Sequence, residues 1–258
     1  MTETPADRRI PPGFAARATY EDLGYRDVFW AARSYEDACD RIALRAFLPP
    51  SGDRPGNRLI EAGAGFGRLA GEYAGYSEVV LLDASEIHVA EARRATADRP
   101  GFRVELGDVL ALPAPDGHFD VAVMIRVLHH FADPEPVLRE LARVVKPGGI
   151  LVLEYANKRN LKSIARRILR RQAWSPFAPG SVAYKPFHYD HAPLSVARAL
   201  RNSGFEVERM RAVSLLRLPA LTHRVPPDFL SRLEAHLQEP LGSITPAPSV
   251  FVLARRLR

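Results

Sequence analysis

Between Glu61 and Asp108 the chain spaces glycines and carboxylates as a nucleoside-type ligand would require them. Gly63, Gly65 and Gly67 alternate directly after the apolar pair Leu59-Ile60, and glycine alone takes a positive φ or lets backbone approach a ligand without steric cost. Asp83 follows twenty residues after Gly63. A carboxylate there, at the carboxyl end of the next strand, can accept from both hydroxyls of a ribose through charge-assisted bonds worth roughly 1.5–3 kcal/mol each. Its competing role is to cap a helix over Ser85 to Ala97. Asp108, after Gly107, brings a second carboxylate to the same edge, where an adenine exocyclic amine could donate to it. The dinucleotide fingerprint needs G-x-G-x-x-G. Here the third glycine falls one position early and Arg68 stands where close helix-to-strand packing demands glycine, which disfavours an NAD-dependent oxidoreductase.

Histidines form the second chemical group. His129 and His130 follow an apolar run, and His188, Tyr189 and His191 sit in a predicted loop before a later helix. Any of these imidazoles can serve as a general base toward a hydroxyl or an acidic carbon, and the adjacent pair can equally be structural. His188-x-x-His191 beside Asp190 lacks a third well-spaced ligand, so no metal is expected.

Positioning these groups requires strands that end together. Strands are predicted at Asn57–Ala62, Glu78–Leu82, Phe102–Leu106, His118–Ile125 and Ile150–Tyr155, with a helix running from the glycine turn to about Tyr76. The run His118–Ile125 is nearly all apolar, as a central strand covered on both faces must be. Asp133-Pro134 opens a helix whose Val137, Leu138, Leu141, Val144 and Val145 make one stripe, and Lys146-Pro147-Gly148-Gly149 stops it. Upstream, Ser34 and Asp37 have the spacing of a capping box for a helix that ends at Pro49-Pro50. Strand and helix alternate, so the fold class is α/β, a doubly wound, mostly parallel sheet whose ligands sit beyond the carboxyl ends of its strands.

With 258 residues and one cysteine, Cys39, the chain suits one large domain without an intrachain disulfide. We divide it into an arm over 1–18, helices within 19–50, a domain spanning 19–258 and an insertion over 156–191. Neither an apolar run of about 18 residues nor a leader pattern is present, and a cytoplasmic location is expected. The net charge of +6 is local: from Tyr155 to Tyr189 eight Lys and Arg residues meet no Asp or Glu, which leaves −2 for the remainder.

These motifs together resemble the class I S-adenosylmethionine-dependent methyltransferases, in the subgroup of ubiquinone and menaquinone biosynthesis methyltransferases. Leu59 to Gly67 is similar to that family's first motif and Leu82-Asp83-Ala84-Ser85 to its second. Gly107-Asp108, Leu112-Pro113, Phe119-Asp120, Val127-Leu128-His129-His130, Leu138 with Arg143-Val144, and Lys146-Pro147-Gly148-Gly149 follow in the family's order. The resemblance implies a seven-stranded Rossmann-like sheet with one antiparallel strand near its end, for which Gly204–Val213 and Ser249–Ala254 are the candidates, with helices at Pro193–Asn202 and Pro227–Leu237. It implies S-adenosylmethionine as cofactor. Glu61, Gly63, Ala64 and Gly65 would face its methionine part, Asp83 with Ala84 the ribose, and Asp108 with Val109 the adenine. Ile125 and Arg126 would form the floor, Arg126 departing from the small or polar residue commoner there.

In similar enzymes the insertion after the fifth strand covers the site. We therefore expect the helix carrying Leu161, Ile164, Ala165, Ile168 and Leu169 to be a lid, with Trp174, Phe177, Tyr184 and Phe187 lining an apolar acceptor pocket. Its basic face suits an anionic substrate or peripheral contact with an anionic membrane, and a solvated face is the plainer alternative. Nucleic acid is disfavoured, since no aromatic-interleaved basic strand accompanies the charge. The expected activity is methyl transfer to an O, N or C nucleophile of a small-molecule or lipid-like acceptor, with His129, His130 and His188 as candidate catalytic residues. The alternatives are RNA or protein methylation, the oxidoreductase, and a catalytically silent binding protein.

Overall fold

A computed structural model of the chain describes Trp30 and residues 33–185, 188–222 and 224–258. The predicted arm over 1–18, Tyr20, Tyr25, Phe29 and Phe187 lie outside the described residues.

The strands β1 (Arg58–Ala62), β2 (Glu78–Asp83), β3 (Phe102–Leu106), β4 (Phe119–Met124), β5 (Val145–Ala156), β8 (Phe205–Val213) and β9 (Ser249–Arg256) form one sheet in the order β3-β2-β1-β4-β5-β9-β8. The first five pair in parallel, and β9 runs antiparallel to both β5 and β8. Side chains alternate across a strand. Ile60, Leu82, Ala122 and Met124 accordingly join a core beneath α3 (Glu135–Val144) and α5 (Pro193–Asn202). Leu59, Leu81, Val121 and Val123 join a second core beneath α1 (Ser34–Phe47) and α7 (Pro227–Gln238). Both faces of β4 are covered, which is why that run lacks polar alternation. The chain leaves β1 for β2 on one side and returns to β4 on the other, so the sheet switches direction between β1 and β4. Ligands of open α/β sheets bind at such a point.

Several boundaries differ from expectation. No α-helix follows the glycine turn: Ala70–Tyr73 is one 3-10 turn, because Gly63, Gly65, Gly67 and Gly75 all take positive φ and interrupt helical geometry at both ends. Ser34 does not cap α1, since Asp37 binds Arg41 (2.7 Å) and Arg68 instead, and charge-assisted bonds outweigh a neutral cap. The helix α2 (Glu86–Ala95) is capped by the Ser85 hydroxyl, which accepts from the His88 N–H, and this leaves Asp83 clear of that task. Finally, His188–His191 is a strand, β7, pairing antiparallel with β6 (Ser181–Lys185), where a loop was expected.

The remaining helices are α4 (Leu161–Ile168) and α6 (Pro219–Thr222). No helix among the described residues is long and apolar enough to cross a membrane.

Candidate functional site

Above the switch point lies a pocket whose walls include Glu61, Gly63, Ala64, Gly65, Asp83, Ala84, Val109, Ile125 and Arg126. Nine of the ten residues expected around a cofactor therefore converge there. Asp108 is not in that wall; its Oδ1 accepts the Leu110 N–H at 2.9 Å, within the turn that closes on Ala111. The wall also includes Trp30, which the aromatic stretch before α1 offers as either a lid or a docking face, and Phe66, Leu69, His88, Val127 and Phe131, which were not anticipated as site residues.

The glycine turn is held by its own backbone. Gly63 and Ala64 both donate to the Leu82 carbonyl, at 2.8 and 2.9 Å, and Gly65 donates to Asp83 Oδ2 at 2.7 Å. Asp83 Oδ1 accepts the Ser85 N–H at 3.0 Å. Each carboxylate oxygen thus holds one backbone donor; Oδ1 also lies 3.5 Å from His88 Nδ1, and Oδ2 keeps a second lone pair for a ligand hydroxyl. Gly63, at φ +81, lies against Val127, whose Cγ2 would be 2.3 Å from any added Cβ, whereas a Cβ at Gly65 would meet nothing within 4 Å. That open space is the cradle.

Glu61 is the buried acid of the wall, 2% exposed, and its Oε2 has no hydrogen-bond partner among the described residues. Burial pushes its carboxyl up to about 8, with the Tyr73 hydroxyl and the Arg68 cation opposing. A cationic ligand group placed beside Oε2 would satisfy that atom and stabilise its charge.

Arg68 and Arg126, the two departures from the motifs, have a common explanation in Asp40. This carboxylate is fully buried on α1, 3.1 Å from Arg68 Nη2 and 2.8 Å from Arg126 Nη2. Arg68 also lies 3.8 Å over the Trp30 ring, and Arg126 donates its backbone N–H to Glu154 at 2.9 Å. Burial disfavours the Arg126 cation, but Asp40 and Glu154 outweigh it and hold it charged more firmly than an ordinary guanidinium. Arg126 pays in backbone strain, adopting φ 62. A charged residue on the apolar face Tyr35-Cys39-Ala43-Leu44 was the one available signal for this network.

The three candidate catalytic histidines do meet. His129 stacks on His130 (ring centroids 4.1 Å) and on His188 (4.3 Å), but only His130 lines the pocket. Burial, then the neighbouring His130 and His188, hold His129 neutral well below the usual imidazole range. Its Nε2 is buried with no hydrogen-bond partner among the described residues. His191 is buried against the Leu128 carbonyl (3.3 Å), and burial lowers its pKa to about 4. Asp190, 3.9 Å from His188, is raised by burial to about 6. The hairpin β6–β7 packs against the segment that carries His129, through His188 and through Ser181 Oγ donating to the Ala132 carbonyl at 2.8 Å. Among the described residues, nothing from the 156–191 insertion, α4 or hairpin, lines the pocket wall: Phe177 is 67% exposed and Trp174 is absent from the wall, so the expected apolar lid is not formed by these residues.

Residues 60–153 match the family model described as a methyltransferase domain. An uncharacterized 37.1 kDa protein in transposon TN4556 of Streptomyces fradiae is 39% identical over 127 residues, 48% of this chain and 34% of that protein. The ubiquinone/menaquinone biosynthesis C-methyltransferase UbiE of Ectopseudomonas mendocina is 34% identical over 128 residues, 46% of this chain and 50% of that enzyme. The match to these curated relatives therefore spans half of their length or less. Magnesium protoporphyrin IX methyltransferase from Synechocystis PCC 6803, solved with bound S-adenosylmethionine, superposes with a TM-score of 0.63 over 98% of this chain and all of that one, at 16% identity, a likeness of fold. The chain resembles a class I S-adenosylmethionine-dependent methyltransferase in its motifs and in its sheet alike.

Proposed function

We propose that the chain binds S-adenosylmethionine in this pocket and methylates a small, apolar or lipid-like acceptor. The observation that carries the reading is the pair Glu61 and Asp83, one on either side of the open Gly65 cradle. Glu61 Oε2, buried and lacking a partner among the described residues, suits the cofactor's ammonium, and the spare lone pair on Asp83 Oδ2 suits a hydroxyl of a vicinal diol. Val109 supplies an apolar wall for an adenine ring. When bound, the cofactor supplies an electrophilic methyl group on a sulfonium that leaves neutral.

The chain's own work is then to orient the acceptor, exclude water and manage a proton. Ile125, Val127 and Phe131 form an apolar wall, so an acceptor ring would be held dry. Of the two imidazoles in the wall, His88 lies beside Asp83, and His130 is the group we assign as base where the nucleophile is a hydroxyl or an acidic carbon. His129 positions it by ring stacking. The naming of the relatives as quinone-pathway C-methyltransferases favours a phenol or quinol among lipid-like acceptors. We also propose that this chemistry takes place in the cytoplasm.

Parallel calorimetric titrations with S-adenosylmethionine, S-adenosylhomocysteine and NADH test the cofactor assignment. Micromolar binding of the first two without a response to NADH supports it and opens a screen of phenols and quinols. Binding of NADH alone overturns it.

A further inference from the structure

The insertion after β5 holds a helix turned the wrong way for packing. Ser163 is the buried residue of α4, while Leu161, Ile168 and Leu169 are 58%, 74% and 61% exposed. At roughly 100° per residue, Ser163 lies about 200° from Leu161, Ile168 returns to within about 20° of Leu161, and Leu169, just past the helix end, falls about 80° round on the same exposed half. The apolar stripe therefore points directly away from the body of the protein. The helix is nevertheless firmly built: Asn160 caps it by accepting the Ser163 N–H at 2.9 Å, and the Leu161 N–H donates to the Pro246 carbonyl at 2.9 Å. Its far end closes through Arg170 in the left-handed region (φ 54), with Arg171 N–H donating to the Arg166 carbonyl at 2.8 Å.

Charge frames the stripe. Lys162 lies about 100° round from Leu161, Arg166 and Arg167 lie farther round on either side of Ser163 at about 140° and 240°, and Arg170 and Arg171 follow the helix end; Arg167 Nη1 donates to the Ala173 carbonyl at 2.8 Å. Among the described residues none of these five forms an ion pair with a carboxylate, and no Asp or Glu occurs between Tyr155 and Tyr189. A second copy of this chain would oppose like charge to like charge. Nucleic acid would engage the cations but leave Leu161, Ile168 and Leu169 without a role, since single strands stack on aromatic rings. An interfacial helix combines an apolar face with a cationic rim, as here.

We propose that α4 docks on an anionic lipid bilayer, with Leu161, Ile168 and Leu169 entering the headgroup boundary and the surrounding Lys and Arg side chains meeting lipid phosphates. The inference rests on this surface alone, not on the methyltransferase reading.

The test is co-sedimentation of the full chain with vesicles of phosphatidylcholine, alone or with about one-third phosphatidylglycerol. Binding at least ~10-fold stronger to the anionic vesicles, weakened by salt, is expected. Two variants separate the components: Arg166→Glu/Arg170→Glu and Leu161→Ser/Ile168→Ser/Leu169→Ser. Each should lose ~10-fold or more while melting like the parent, because none of the five side chains is buried. Equal binding to both vesicle types, or no binding at low salt, overturns the proposal. So does a serine variant that binds as well as the parent, which would reduce the patch to a phosphate-attracting surface open to nucleic acid.

Discussion

Arg126 Nη2 lies 2.8 Å from Asp40 Oδ1, joining the end of β4 to a helix 86 positions earlier in the chain. Asp40 is fully buried and also holds Arg68, so neutralising it takes a buried partner from two guanidiniums, leaving Arg68 to Asp37 and Arg126 to the more distant Glu154. Removing one partner of a buried ion pair costs about 3–5 kcal/mol, whereas replacing the pair by apolar groups is often neutral. Asp40→Ala should therefore lower the unfolding free energy by ~3 kcal/mol or more, and Asp40→Leu combined with Arg126→Met should recover part of it. Urea denaturation of the three proteins decides this, and a single variant within 1 kcal/mol of the parent would show that the network is not structural.

Gly63 and Gly65 should respond differently to the same change. Gly63→Ala places a methyl group 2.3 Å from Val127 Cγ2 at φ +81, so it should destabilise by several kcal/mol. Gly65→Ala enters open space at φ +55, a conformation costing an alanine roughly 1–2 kcal/mol, and its methyl group projects into the cradle. It should stay folded yet bind S-adenosylmethionine at least ~10-fold more weakly. Thermal melts and titrations on both variants check the contrast; normal cofactor affinity in Gly65→Ala would place the ligand elsewhere.

Asp83→Asn keeps an acceptor for the Gly65 N–H but removes the charge offered to a diol. The lost charge assistance, about 1.5–3 kcal/mol, corresponds to ~10–100-fold weaker binding, while the amide nitrogen forfeits the bond from the Ser85 N–H and lowers stability by ~1 kcal/mol. Titration of the folded variant measures it, and unaltered affinity would remove Asp83 from the site.

Legibility in the chain followed the range of the forces involved. The apolar runs of β1, β2 and β4 are local patterns dictated by burial, and each lies within two residues of its predicted limits. The helix expected after Gly67 rested on the strand–turn–helix pattern alone, and it is broken by four glycines at positive φ. Asp108 was read for its position at a strand end, and the turn in which it accepts the Leu110 N–H depends on three-dimensional closure. Asp40 and Glu154 act on residues far away in the chain, which no local spacing reveals. The hairpin β6–β7 was hidden for the same reason, its strands being short and unpatterned.

The buried imidazole of His191 predicts a pH signature. Its folded pKa of about 4 lies below the ordinary 6.5, so between those values the unfolded chain takes up a proton that the folded one refuses. That contribution to stability is present above pH 6.5 and is lost as pH falls toward 4. Asp190, raised to about 6, acts in the opposite sense, so the variant must be compared with the parent at each pH. His191→Asn should be most destabilised relative to the parent above pH 6.5, and the gap should narrow by up to ~3 kcal/mol near pH 4. A gap independent of pH would contradict the shift.

His129 separates positioning from catalysis. Its Nε2 is buried with no hydrogen-bond partner among the described residues, and replacing such a group by an apolar one of similar shape is close to neutral or stabilising. His129→Phe retains a ring to stack between His130 and His188 at centroid separations near 4.1 and 4.3 Å. The variant should melt at or above the parent temperature and keep most of kcat toward a phenolic acceptor. His130→Phe, which removes its imidazole from the pocket wall, should lose ~10²-fold or more in kcat, with S-adenosylmethionine affinity little changed. The pH profile distinguishes the roles further: the acidic limb set by a base should persist in His129→Phe and vanish in His130→Phe. If instead His129→Phe abolishes turnover while remaining folded and binding cofactor, the proton passes through the buried ring and the assignment of the two histidines reverses.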